Sequence, residues 1–179
     1  MKHIELTEKS GTVQLYGFVV SIALYLVLLT PFEKLYGKTA GIGDKPALVW
    51  IGVLSVFLLG IGIHELIHYL TAIWYGRISL TDVKLGIKWK TLTPYFHSKV
   101  PVLAKKYRVI TVMPLVVMGI VPYIISMLIG NGWVLAFGIV FILTAFGDLF
   151  ILWLMRHVPG DQLVQDHPDK IGLIVLSEE

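Results

Sequence analysis

Apolar positions in this chain gather into four long runs, separated by short stretches where polar residues and glycines collect. The runs cover about 13–30, 48–75, 109–129 and 133–154. Helical hydrocarbon-spanning segments need roughly 20 apolar residues, so four transmembrane helices are predicted. The second run exceeds that length, which predicts a tilt or emergence at one end. Pro31 closes the first run, because proline removes a helical hydrogen bond. Asn131-Gly132 leaves only a tight turn between the last two runs, so they are expected to be antiparallel neighbours. Lys2 and Lys9 precede the first run as they would in a signal peptide. That run is longer than a typical signal core, however, and Leu29-Thr30-Pro31-Phe32 is a poor cleavage site, so a retained helix is expected.

Between the second and third runs, 76–108 changes period. Val83, Leu85, Ile87 and Trp89 alternate with Lys84, Gly86, Lys88 and Lys90, the period of a half-buried strand. Pro94 and Pro101 bound an irregular stretch that contains His97. Two roles fit the strand. It could clamp an extended peptide by edge pairing, or form an interfacial ribbon anchored by Trp89 and Tyr95. The tail, 155–179, is polar until 171–176, which is too short to span and fits a strand. The predicted fold is an α-helical integral membrane protein forming a single membrane-embedded domain over 1–179. It has about four transmembrane helices and a small cytoplasmic β-strand segment between helices 2 and 3.

Composition agrees with the pattern. Hydrophobic residues make up 56% of the chain, charged residues 15%, and mean hydropathy is +0.77, whereas a soluble domain is about one quarter charged. Cysteine is absent, which excludes disulfides, cysteine-ligated metal and thiol catalysis. Twelve of the 15 Lys and Arg residues fall on the N-terminus, the 76–108 segment or the tail, against Lys34, Lys38 and Lys45 on the other side. Positive charge favours the cytoplasmic face, so a multi-pass cell-membrane protein with both termini in the cytoplasm is expected. The basic middle segment also suits acidic lipid. Membrane lipid and a peptide or membrane-protein substrate are the expected partners, and no nucleic acid is expected. The sequence is silent on oligomeric state.

One string carries chemistry. His64-Glu65-Leu66-Ile67-His68 lies inside the second span. On a helix its two imidazoles are about 40° apart around the axis and roughly 6 Å apart along it. Both can then hold one Zn²⁺, with Glu65 beside it as general base. The competing reading is a histidine pair hydrogen-bonded within a bundle, with Glu65 as a proton carrier. A catalytic zinc needs a third protein ligand. Of the 12 acidic residues only Glu65 and Asp148 lie inside predicted spans, so Asp148 is the expected third ligand, with His97 as the alternative. His68 is nine residues before Arg77 and Asp148 eight before Arg156, which puts them about 13 Å and 12 Å from the same interface. Gly60, Gly62 and Gly147 would let the helices approach closely. Pro114 and Pro122 would kink the third span and free carbonyls to line a wet cavity.

The motif followed by an aspartate in a later span resembles the membrane-embedded zinc proteases of the site-2 protease type. His64-Glu65-Leu66-Ile67-His68, Pro114-Leu115, Phe146-Gly147-Asp148-Leu149 and Asp166-His167-Pro168 together resemble a bacterial family of putative zincin peptidases whose function is unknown. That resemblance covers nearly the whole chain. It implies a four-helix membrane zincin with His64, His68 and Asp148 as ligands and Glu65 as base. The sequence departs from site-2 proteases at Gly147-Asp148-Leu149, where they carry Leu-Asp-Gly. The expected activity is an intramembrane zinc metalloprotease acting on membrane-spanning or membrane-adjacent peptides. The alternatives are hydrolysis of another amide or ester near the membrane, a non-enzymatic metal-binding membrane protein, a small ion or proton transporter, or an inactive homologue that only binds partners.

Overall fold

The computed structural model describes residues 2–37, 47–88, 93–168 and 170–177. Most of them are helical, and four helices are long and apolar enough to cross a membrane. The first, α1, covers Ser10–Tyr36. It does not stop at Pro31 as expected. The Thr30 hydroxyl donates to the Leu26 carbonyl at 2.6 Å, and Phe32 is buried against Leu135 and Ile139. Burial of that ring outweighs the one hydrogen bond that proline removes. The second helix is α2, Ala47–Thr71, continued by a π turn over Ala72–Gly76. Arg77 ends it in the left-handed region with φ 60°, its N–H donating to the Ala72 carbonyl.

The third helix starts at Ala104, earlier than expected. It comprises α3 (Ala104–Pro114), a π segment (Leu115–Ile120) and α4 (Val121–Ile129). Pro114 closes α3 and Pro122 sits in the first turn of α4, where a missing N–H costs little. The wider i→i−5 winding between them, with Val121 N–H donating to Val116 O, carries the helix past both prolines. Gly130, with φ 67°, ends α4. The Asn131 side chain then caps α5 (Gly132–Thr144), accepting from the Trp133 and Val134 N–H groups at 2.9 and 3.2 Å. As expected from the short turn, α4 and α5 pack against each other. After a break at Ala145 the chain continues as α6 (Phe146–Leu154).

Two sheets accompany the helices. Strands β2 (Val83–Lys88) and β3 (Thr93–Ser98) pair antiparallel, from Val83 opposite Ser98 to Lys88 opposite Thr93. The alternating segment is thus a strand, while Trp89 and Lys90 lie outside the described residues. The stretch beyond Pro94, expected to be irregular, is a strand too, because proline is tolerated where a strand has only one neighbour. The second sheet is antiparallel in the order β1-β6-β5-β4, from Lys2–Glu8, Ile171–Ser177, Leu163–Asp166 and Val102–Leu103. The strand expected at 171–176 is β6. The N-terminal strand was not foreseen, since its seven residues are mostly polar and form a strand by pairing with β6. Val164, Leu173 and Val175 of this sheet share a core with Ala72, Tyr107, Ile110 and Met155. The sheet therefore packs on residues from α2's π turn, α3 and the end of α6.

Gly138 marks a close helix crossing. A Cβ there would lie 2.7 Å from Tyr123 N and 3.1 Å from Gly119 O, both backbone atoms that cannot swing away. Gly138→Val should cost about 1–3 kcal/mol by overpacking. Gly52→Ala, where a Cβ meets nothing within 4 Å, should leave stability unchanged or slightly raised. Thermal unfolding in detergent measures both, and equal midpoints would refute the close crossing.

Candidate metal centre

The histidines of the H-E-x-x-H string project from successive turns of one face of α2. Their ring centroids are 5.0 Å apart and nearly perpendicular, and both side chains are buried. Asp148 reaches them from α6. The break at Ala145 restarts the helix, so that Asp148 falls in its first turn, where unpaired N–H groups favour a carboxylate. Asp148 Oδ2 lies 3.0 Å from His64 Nε2, and Oδ1 lies 3.3 Å from His68 Nε2. One donor atom from each of the three side chains falls within 4.8 Å of the others.

The far nitrogen of His68 is also engaged. Nδ1 lies 2.8 Å from the carbonyl oxygen of Ile110 on α3. A carbonyl only accepts, so Nδ1 carries a hydrogen, and Nε2 is the nitrogen left to face Asp148 and to bind an ion. This is the outer support that metal-binding histidines commonly have. Two nitrogens and a carboxylate oxygen suit Zn²⁺, whose ligand distances near 2.1 Å put tetrahedral donors about 3.4 Å apart. Each imidazole nitrogen stands 3.0 or 3.3 Å from its nearer Asp148 oxygen, close to that spacing, so the donor set fits the ion.

Glu65 lies on the flank of the cluster, half-buried beside the Phe96 backbone of β3. The Phe96 ring stacks on His68 with centroids 6.0 Å apart and planes 29° apart. The β2–β3 pair is therefore the roof of the cluster. His97, the alternative third ligand, is turned elsewhere, with Nδ1 3.7 Å from Asp166 Oδ2. Of the three glycines expected to permit close approach, Gly60 does so. A Cβ there would meet the Phe141 ring at 2.2 Å, whereas Gly62 and Gly147 face open space.

Asp166 has a structural part that its place in a polar tail did not reveal. Its side chain is only 14% exposed. Oδ2 accepts the Ser98 N–H at 2.7 Å, and Oδ1 accepts the Tyr107 hydroxyl. Burial pushes its carboxyl above the usual range, against the opposing pull of Tyr107, Ser98 and His97. One carboxylate thereby ties β5 to the end of β3 and to α3, holding the roof in place. The only sequence signal was the Asp166-His167-Pro168 string, with no indication of what it touches.

A family model described as "Putative zincin peptidase" matches residues 57–163, which include the α2 motif, the roof strands and Asp148. No curated protein and no solved structure matches the chain.

Asp166→Ala would leave a buried hydroxyl and a backbone N–H without their acceptor, at an expected cost of about 3 kcal/mol, while Tyr107→Phe should cost about 1 kcal/mol. Thermal unfolding gives the totals. Amide exchange should accelerate over 93–98 in Asp166→Ala, and unchanged exchange there would show that Asp166 does not hold the roof.

Proposed function

This chain belongs to the putative zincin peptidase family, and from that premise we propose that it is an intramembrane zinc metallopeptidase. Its substrates are peptide bonds in membrane-spanning or membrane-adjacent segments. The observation that carries the reading is the convergence of His64, His68 and Asp148 from two helices, with His68 fixed in orientation by a third. Ionisable groups at that depth among apolar helices are costly and rarely idle.

His64, His68 and Asp148 would hold Zn²⁺, which when bound supplies a Lewis acid that activates water and polarises a carbonyl. The chain's own residues do the rest. The Ile110 carbonyl keeps a proton on His68 Nδ1 and fixes the ring so that Nε2 is the nitrogen it offers to the ion. The Glu65 carboxylate takes a proton from the attacking water and returns it to the leaving amine. Strand β3 runs directly beside Glu65 and His68. An extended peptide pairing along the roof would bring its carbonyls to this side. A helical substrate must first unwind there, because a closed helix hides its amides. This division of labour resembles that of site-2 proteases.

The basic residues on the strand-bearing side support a cytoplasmic placing of the roof, the tail and the N-terminal strand. The absence of cysteine makes the orientation simple to read. Single cysteines at Lys99 and Gln162 should resist an impermeant maleimide in intact cells, and one at Lys34 should react. The reverse pattern would invert the proposed topology.

Metal analysis of the detergent-purified protein tests the function. About one zinc per chain is expected in the wild type and in Glu65→Gln, with at least a tenfold weaker hold in Asp148→Ala. No zinc in the wild type after reloading would sink the peptidase reading.

A further inference from the structure

Where the π turn after α2 ends and α3 begins, the chain leaves a small polar pocket. The apolar helices Val49–Gly76 and Ala104–Ile129 stop and start at this level. Trp74 and Tyr75, 72% and 51% exposed, immediately precede it in the chain, and exposed tryptophan and tyrosine at the end of an apolar helix belong at the headgroup level of a bilayer. The pocket, of about 240 Å³, has Gly76, Arg77, Asp82 and Lys106 in its lining. Lys106 Nζ donates to the Gly76 carbonyl at 2.9 Å, a favourable place for a cation at a helix C-terminus. That contact accounts for Lys106 but not for Arg77. Arg77 is the one non-glycine residue with positive φ among the described residues. Glycine would make this turn at less conformational cost, so the backbone does not explain an arginine here. Among the described residues its guanidinium has no ion-pair or hydrogen-bond partner, and neither has the Asp82 carboxylate.

We infer that this pocket holds the headgroup of a phospholipid carrying a primary ammonium, with the phosphate on Arg77 and Lys106 and the ammonium on Asp82. Two cations brought to one small pocket repel each other, and a phosphate shared by both removes that cost. The guanidinium fork matches two phosphate oxygens, and the Lys106 ammonium adds a compact charge. Asp82 makes a purely anionic headgroup the poorer complement, because its carboxylate repels one. A primary ammonium donates hydrogen bonds to that carboxylate, whereas a choline nitrogen has no hydrogen to donate. Basic pockets at the ends of membrane helices suit lipid headgroups. The level favours a lipid over free phosphate, because a headgroup held at the ends of two apolar helices leaves its acyl chains beside them. The inference needs the chain to span a membrane and stands whether or not the chain cuts peptides.

The test is native mass spectrometry of the detergent-purified full chain with an equimolar mixture of phosphatidylethanolamine, phosphatidylcholine and phosphatidylglycerol of matched acyl chains. The wild type should retain phosphatidylethanolamine several-fold more than the other two. Arg77→Gly, which suits the left-handed backbone and so should unfold no earlier than the wild type, should lose that preference. Lys105→Ala removes the same charge from an exposed neighbour outside the pocket and should keep it. Asp82→Asn should turn the preference toward phosphatidylglycerol, a gain that misfolding cannot produce. Equal retention of the three lipids by the wild type would overturn the proposal. So would equal losses in Arg77→Gly and Lys105→Ala, which would reduce the effect to general surface charge. Displacement of the retained lipid by inorganic phosphate alone would also overturn it, making the pocket a site for a free anion.

Discussion

Three ionisable side chains among apolar helices must find one another or be expelled, and much of this structure follows from that demand. An unpaired charge in a medium of low polarity costs several kcal/mol. His64, His68 and Asp148 answer by converging, with contacts of 3.0 and 3.3 Å to the two oxygens of one carboxylate. Convergence fixes where α6 must lie relative to α2. The His68 contact with the Ile110 carbonyl then recruits α3. Stacking of Phe96 on His68 brings in β3, and Asp166 holds β3 to the tail. Each addition gives a polar group a partner, and no buried side-chain nitrogen or oxygen among the described residues lacks one.

The backbone departs from regular helix where this assembly needs it. The break at Ala145 turns one apolar run into α5 and α6 and sets Asp148 in a first turn. The π turn after the motif helix ends at Arg77, just before the chain leaves for the roof. The π segment between Pro114 and Pro122 keeps the third helix continuous, so Ile110 and Tyr107 stay on a rigid support. Short π segments often lie near functional sites because they shift the register of one helical face without breaking the helix.

Two surroundings then meet at one cluster. On one side lies the polar roof, with the Phe96 backbone beside Glu65. On the other the ligand stripe of α2 continues as an apolar face, and the buried Phe141 ring closes over Gly60 one turn before His64. In the proposed reaction the roof side is where a carbonyl would be offered in extended form.

Four helices long and apolar enough to cross a membrane, the strand over 83–88 and the terminal strand over 171–176 were legible in the sequence, because the length of apolar runs and alternation report on helix and strand. So were the members of the candidate cluster. His64 and His68 are fixed to one helical face by their spacing, and Asp148 stands out as an acid in an apolar run. The passage of α1 through Pro31, the π windings and the strand status of β1 and β3 were not legible, since each depends on a distant partner: Phe32 on Leu135, β1 on β6, β3 on β2. The same holds for Asp166, which reads as an ordinary tail acid until Ser98 and Tyr107 are seen to point at it, and for His97, which only packing separates from the cluster. Local spacing and hydrophobicity say which residues can share a face or a depth. Which of them touch is decided by contacts between segments far apart in the chain, and only the folded arrangement supplies those.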